Sequence, residues 1–249
     1  MKEMAKIAAL LVAMVLLVGL TACQGRGSSK GLVIDGATVT GYTSDLPAKL
    51  VIPKVVAEIG YRAFEHCRAL VSVTIPNGVT AIGNRAFYEC KNITSVIIPD
   101  SVKSIGSSAF YGCKSLKSIE IPNSVTSIGE QAFRFCESLE SVTIPASVTK
   151  TEFAVFESCA NLISVTIDNG VTEINACAFQ GCENLASVII SDSVTSIGRN
   201  AFTQRGGNLK EVKYAGTKSQ WEQISKGDGR SKYIGEFIVH CTDGDIIQE

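Results

Sequence analysis

The chain has 249 residues, 45% of them apolar, and its 23 Lys and Arg nearly balance 24 Asp and Glu. This composition is that of a packed globular protein of one or two domains. The near-zero charge, with no basic block, argues against a nucleic-acid binder. Only two histidines, His66 and His240, are present, which leaves most hydrolase and metal-site mechanisms short of groups.

Residues 1–22 read as an export signal. Lys2 and Lys6 supply the basic start, and Ile7–Leu20 is an apolar run of 14 residues, too short for a spanning helix. Leu20-Thr21-Ala22-Cys23 follows, and it resembles the bacterial lipobox, in which the cysteine becomes an acylated N-terminus. The alternative is an ordinary secretory signal with a chance cysteine. On the first reading residues 23–30 are a lipidated flexible tether, and the mature protein is exported and membrane-anchored through Cys23. Residues 31–52 are expected to form an N-terminal cap. Within it Gly31–Tyr42 reads as a β-hairpin turning at Asp35-Gly36.

From residue 53 to 210 one unit repeats. Phe64, Phe87, Phe110, Phe133, Phe156, Phe179 and Phe202 stand 23 residues apart, each after an alanine except at Val155-Phe156. A period of this size is the signature of a leucine-rich-type solenoid. "SVTI", "SVII" and "SIEI" alternate like strands with one buried face. Pro76, Pro99, Pro122 and Pro145 stop that strand, lacking a donor. The Val-x-x-Ile that follows predicts a second short extended segment. Gly83, Gly106, Gly129 and Gly198 are expected to turn the backbone through conformations closed to other residues. Stacked coils would bury their apolar sides jointly, with parallel strands about 4.8 Å apart and seven coils roughly 34 Å long. The predicted fold class is a mainly β solenoid of about seven such coils, capped at both ends.

Cys67, Cys90, Cys113, Cys136, Cys159 and Cys182 follow the same interval. They are open to four readings: metal site, disulfide ladder, redox relay or buried core. Equivalent residues of stacked coils point the same way, which does not suit disulfide geometry. One thiol per coil brings at most two near any point, whereas zinc needs four ligands. The column therefore reads as small core hydrophobes, the more so because the seventh unit has Arg205 there and keeps Phe202. Cys177 and Cys241 lie outside it. Cys177 should face outward, and either is open to a disulfide with the other or with a partner.

Three departures break the template. Thr151 and Glu152 stand where Ile and Gly are expected, predicting a reshaped turn. Asp168 and Ser191 replace the proline, and "RGGNL" carries one extra residue near Gly206 and Gly207. Residues 211–249 are expected to be a C-terminal cap. Thr217 to Gln220 fits a capping box opening a short helix, with Trp221 and Ile224 laid on the last coil.

The outward strand positions hold Ser72, Ser95, Ser118, Ser141, Ser164 and Ser187, and two residues on Thr74, Ile97, Glu120, Thr143, Thr166 and Ile189. A serine column without a positioned base is not a nucleophile array. It is either a solvated ladder or a low-charge face that docks an extended protein or glycan. Lys210, Lys213, Lys218, Lys226, Arg230 and Lys232 make a modest positive cluster near the end. No Walker loop, G-x-G-x-x-G, H-E-x-x-H or G-x-S-x-G occurs, so no catalytic residue, metal or cofactor is assigned.

The A-F-x-x-C core, the Ile-Pro strand end and the "VTSIG" segment together resemble the BspA-like leucine-rich repeats, a subtype associated with Treponema and Bacteroidales. "YAGTKSQWEQI" and "IVHCTDG" look like the C-terminal cap often found there. The resemblance implies an exported or cell-surface protein that binds host extracellular proteins or other bacteria, and it implies no catalysis. A periplasm-facing structural or assembly protein, binding another envelope component, is the alternative. Gln24 after Cys23 is compatible with export to the outer membrane.

Overall fold

The computed structural model describes residues 30–204, 206, 208–227 and 237–248. The export signal, Cys23 with the tether up to residue 29, and Arg205 lie outside the described residues. The chain winds as a β-solenoid whose parallel strands form two ladders. One ladder is built of strands of three to five residues. It starts with Lys49–Val51, Ser72–Thr74 and Ser95–Ile97, paired in register. It resumes with Ser141–Ile144, Ser164–Ile167, Ser187–Ile190, Glu211–Tyr214 and Phe237–Cys241, closed by the antiparallel Gly244–Gln248. The other ladder is the Val-x-x-Ile segment. Its two-residue strands run from Glu58–Ile59 to Ser127–Ile128 and again from Glu173–Ile174 to Ser225–Lys226.

The hairpin forms from Leu32–Asp35 and Thr38–Tyr42, with Gly36 in the left-handed turn position. Its second strand begins the short ladder by pairing with Glu58–Ile59. Both ladders run further than the repeat boundaries 53–210. Lys49–Val51 lies inside the expected N-terminal cap, and Glu211–Tyr214 and Phe237–Cys241 lie inside the expected C-terminal one. The caps are extensions of the ladder rather than separate lids.

Between the ladders the phenylalanines form one stack from Phe64 to Phe202. Ring centroids are 5.0–5.5 Å apart and planes within 8° of parallel. Tyr42 adds a further ring over Phe64 at 6.2 Å, covering the open end of the stack. Valine and isoleucine of each strand, and the leucine or (after Cys90) isoleucine three residues beyond each cysteine, fill the rest. Hydroxyls staple coil to coil. Ser101, Ser124, Ser147 and Ser193 donate to the carbonyls of Val79, Val102, Val125 and Val171. Thr172 and Thr195 do the same to residues 149 and 172.

The glycines do not turn the chain as expected. The left-handed residues are instead Arg62, Arg85, Ser108, Gln131, Ala154, Cys177 and Asn200, two residues before the phenylalanine, all at φ of 54–58°. A second set, from His66 and Glu89 to Gly181, lies two residues after it. Gly83, Gly106, Gly129 and Gly198 are needed because the previous coil lies against them. A Cβ there would come within 2.4–2.8 Å of its backbone, closer than van der Waals contact allows.

Each template departure has a local answer. Where proline is missing, the freed N–H extends the strand: Asp168 donates to Ile144 and Ser191 to Ile167. Thr151 is buried, and its hydroxyl accepts from the Asn175 N–H at 2.9 Å. The short ladder is reduced there to the single bridge Lys150–Glu173. The extra residue shifts the pairing interval from 23 to 24 between Ser187 and Glu211. Beside it Gln204 is buried. Its amide donates to Leu185 O and accepts from the N–H groups of Asn208 and Leu209. Near the end, the helix Lys218–Gln223 has the capping box of Thr217 and Gln220, and buried Trp221 packs edge-on against Tyr214.

Candidate interaction faces

On the long-strand face valines point inward, so the residues on either side of each point out. The register sets Ser72 beside Ser95, and Ser141, Ser164 and Ser187 in one row. Thr143, Thr166 and Ile189 form the adjacent row, as Thr74 and Ile97 do nearer the N-terminus. Ile97 is 61% exposed. Ser118 and Glu120 are also exposed, but Ser118–Ile121 is not paired as a strand, and the ladder divides there. Ile119 occupies a rung held by Val96 and Val142 on either side, and the core beneath is slightly open. Val96, Ile98, Ile119 and Ile121 keep 6–9% exposure against 1% for Val165 and Ile167. Ile119 carries one methylene more than the valines on either side of it. An open depression of about 820 Å³ lies at this division, bordered by Asp100, Glu120, Thr143 and Asp168.

Chemistry on this face is limited by its partners. The Ser187 hydroxyl donates to Glu211 at 3.0 Å. That bond, with Lys213 beside it, holds the Glu211 carboxyl below the usual carboxylate range, which makes it a poor base. His240 sits at the end of the ladder, 2.9 Å from Asp245 and 3.9 Å from Glu211. Among the described residues no group of His, Cys, Asp and Glu is placed to hold a metal ion.

The positive cluster is partly spent within the fold. Lys213 pairs with Glu211 at 3.4 Å. Lys226 lies over the Trp221 ring and donates to its carbonyl, and burial lowers its pKa. Arg230 and Lys232 lie outside the described residues.

All six ladder cysteines are buried and unlinked. From Cys90 on, each thiol donates to the carbonyl of the phenylalanine 26 residues back, at 2.9–3.3 Å. Burial pushes the thiols of Cys90, Cys113, Cys136 and Cys159 far up, so none of these four is a nucleophile near neutrality. Cys177 and Cys241 are half-buried and free, each with its thiol raised by burial. Cys177 is thus less outward than its position in the repeat predicts.

A lateral row was missed by the sequence reading. Just beyond each core phenylalanine, four rings touch across four coils. His66 meets Tyr88 edge-on at 5.6 Å, Tyr88 stacks on Tyr111 at 4.7 Å, and Tyr111 meets Phe135 edge-on at 5.4 Å. Arg85 lies over Tyr88 and Arg134 over Phe135, at 4.9 and 4.8 Å. The available signal was the aromatic in "AFY" and "AFRF". It alternates between two neighbouring positions, so a search for a single column passes over it.

These two ladders, one phenylalanine stack and a coil of 23 residues define a leucine-rich-repeat solenoid. The chain belongs to the BspA type leucine rich repeat family, whose model matches residues 42–162 and 103–225 in six copies. It is similar to a leucine-rich repeat protein of T. pallidum, with 31% identity and a TM-score of 0.64 over 72% of this chain and 86% of that one. It is also similar to a leucine-rich repeat protein of Bacteroides ovatus, with 28% identity and a TM-score of 0.59. That match covers 79% of this chain and 58% of the other. No functionally curated protein matches it.

Proposed function

We propose that the protein is a non-catalytic module that binds another protein from the outside of a bacterial cell, held to the membrane through acylated Cys23. Leucine-rich-repeat proteins characteristically bind proteins, and the family is a repeat scaffold rather than an enzyme class. The observation that supports this reading most is the long-strand face. It is a row of in-register Ser, Thr and Ile side chains with few charges, broad enough to lie against an extended partner. Such a face gains affinity from many small contacts rather than one deep pocket. The partner class is a host extracellular protein or a protein on a neighbouring cell.

Solid-phase binding of the purified protein to a set of extracellular matrix proteins tests this. Saturable binding that falls at least about tenfold in Thr143→Glu/Thr166→Glu, which places two charges mid-face, is expected. Absence of saturable binding to any of them would count against the adhesin role.

A further inference from the structure

We infer that the solenoid carries a built-in breakpoint between the coil of Ser118–Ile128 and the coil of Ser141–Thr151, and that the blocks on either side open and unfold independently.

The interruptions of the two ladders meet at this joint. In the long ladder Ser118–Ile121 is unpaired, and none of its four residues gives or takes a backbone hydrogen bond among the described residues. The short ladder stops at Ser127–Ile128, and Lys150 pairs only forward, with Glu173. Thr126 and Gly129 still donate to the coil before them, at Lys103 O and Ile105 O. Their equivalents Thr149 and Glu152 make no such bond, and the Thr151 N–H turns the other way, to Glu173 O. Every other joint from Lys49–Val51 to Glu211–Tyr214 keeps at least one ladder paired.

Other bonds do cross the joint. On the phenylalanine side Gln131, Phe133 and Phe135 donate through their N–H groups to Phe153, Val155 and Glu157 O at 2.9–3.0 Å, and the rings of Phe133 and Phe156 stack at 5.0 Å. Ser138 and Glu140 donate to Lys114 and Lys117 O at 3.1 and 3.2 Å, and the Ser147 hydroxyl donates to Val125 O. The phenylalanine side and its stack are shared by the neighbouring joints, which have ladder rungs in addition. In a column where each coil is stabilised by its neighbours, the least-bonded joint is where it parts.

Each block is otherwise complete. One has the hairpin and Tyr42 over its outer end and the short ladder running through to Ile128. The other has the long ladder from Ser141 onward, ending in the antiparallel strand. Packing is looser on the first side, where Val96, Ile98, Ile119 and Ile121 keep 6–9% exposure against 0–1% for Val165, Ile167, Val188 and Ile190. Parting here divides the long-strand face into a Thr74–Ile97 part and a Thr143–Thr166–Ile189 part.

The test follows hydrogen exchange by mass spectrometry in the full chain in mild detergent, with and without urea. In native buffer Ser118–Ile121 should exchange at least about tenfold faster than Ser72–Thr74 and Ser164–Ile167, which are paired on both sides. In urea, one buried valine of each block is then shortened, Val73→Ala and Val188→Ala. Val73→Ala should lower the midpoint of residues 72–105 by about 0.5–1 M and leave that of residues 164–197 in place. Val188→Ala should do the reverse. The pair keeps the test decisive even where one variant unfolds its own block, since the other block should stay protected. Both regions losing protection together in either variant, or Ser118–Ile121 as protected as the paired strands, would overturn the inference.

Discussion

A Cβ on Gly129 would sit 2.4 Å from the Ser107 nitrogen, and the equivalent glycines are as crowded. The repeat pattern marks these positions as glycine but does not say whether the reason is a left-handed φ or a close neighbour, and the neighbour turns out to be responsible. Gly129→Ala is therefore expected to force adjacent coils apart and lower stability by about 1–3 kcal/mol in urea unfolding. An unchanged midpoint would show that the coils yield freely. The ladder cysteines behave differently: each is a small buried group, and from Cys90 on each donates to a carbonyl of the preceding coil. In the chain from Lys30 onward, an aromatic disulfide reagent should titrate Cys177 and Cys241 in the native state, and the six buried thiols only after denaturation. Fast native reaction of more than two thiols would contradict the buried ladder. Phenylalanine and cysteine columns were legible from spacing alone because each keeps one position per coil. The aromatic row was not, because its rings come from two adjacent positions.

At the scale of elements, the strand after each cysteine and the Val-x-x-Ile segment were readable from alternation, and both form ladders. Their interruptions were only half readable. Thr151 announced the weak rung of the short ladder, since a threonine and a glutamate replaced Ile and Gly. The division at Ser118–Ile121 gave no comparable signal, because Ile119 is as β-compatible as the valines around it and differs only in volume. The helix Lys218–Gln223 is short, and its N-terminal N–H groups depend on Thr217 and Gln220. Thr217→Ala should reduce stability by about 1 kcal/mol. Hydrogen exchange should place that loss at the helix and Trp221, leaving the phenylalanine stack protected. Loss of protection along the whole stack would instead make the helix part of one cooperative unit with it.

For the molecule as a whole, each coil contacts only its neighbours, so the solenoid is a column whose ends must be covered. Tyr42 and the hairpin meet that need at one end, and Trp221 with the final antiparallel strand at the other. The column presents two different surfaces, the low-charge long-strand face and the lateral aromatic row. On the proposed export and anchoring through Cys23, the side of the envelope that the column faces decides what it binds. Treating intact cells with protease and following the protein by immunoblot, beside a periplasmic control and a membrane-disrupted sample, measures this directly. Loss of the protein from intact cells, with the control spared, is expected. Survival until the membrane is opened would contradict the surface role and turn the search to partners within the envelope.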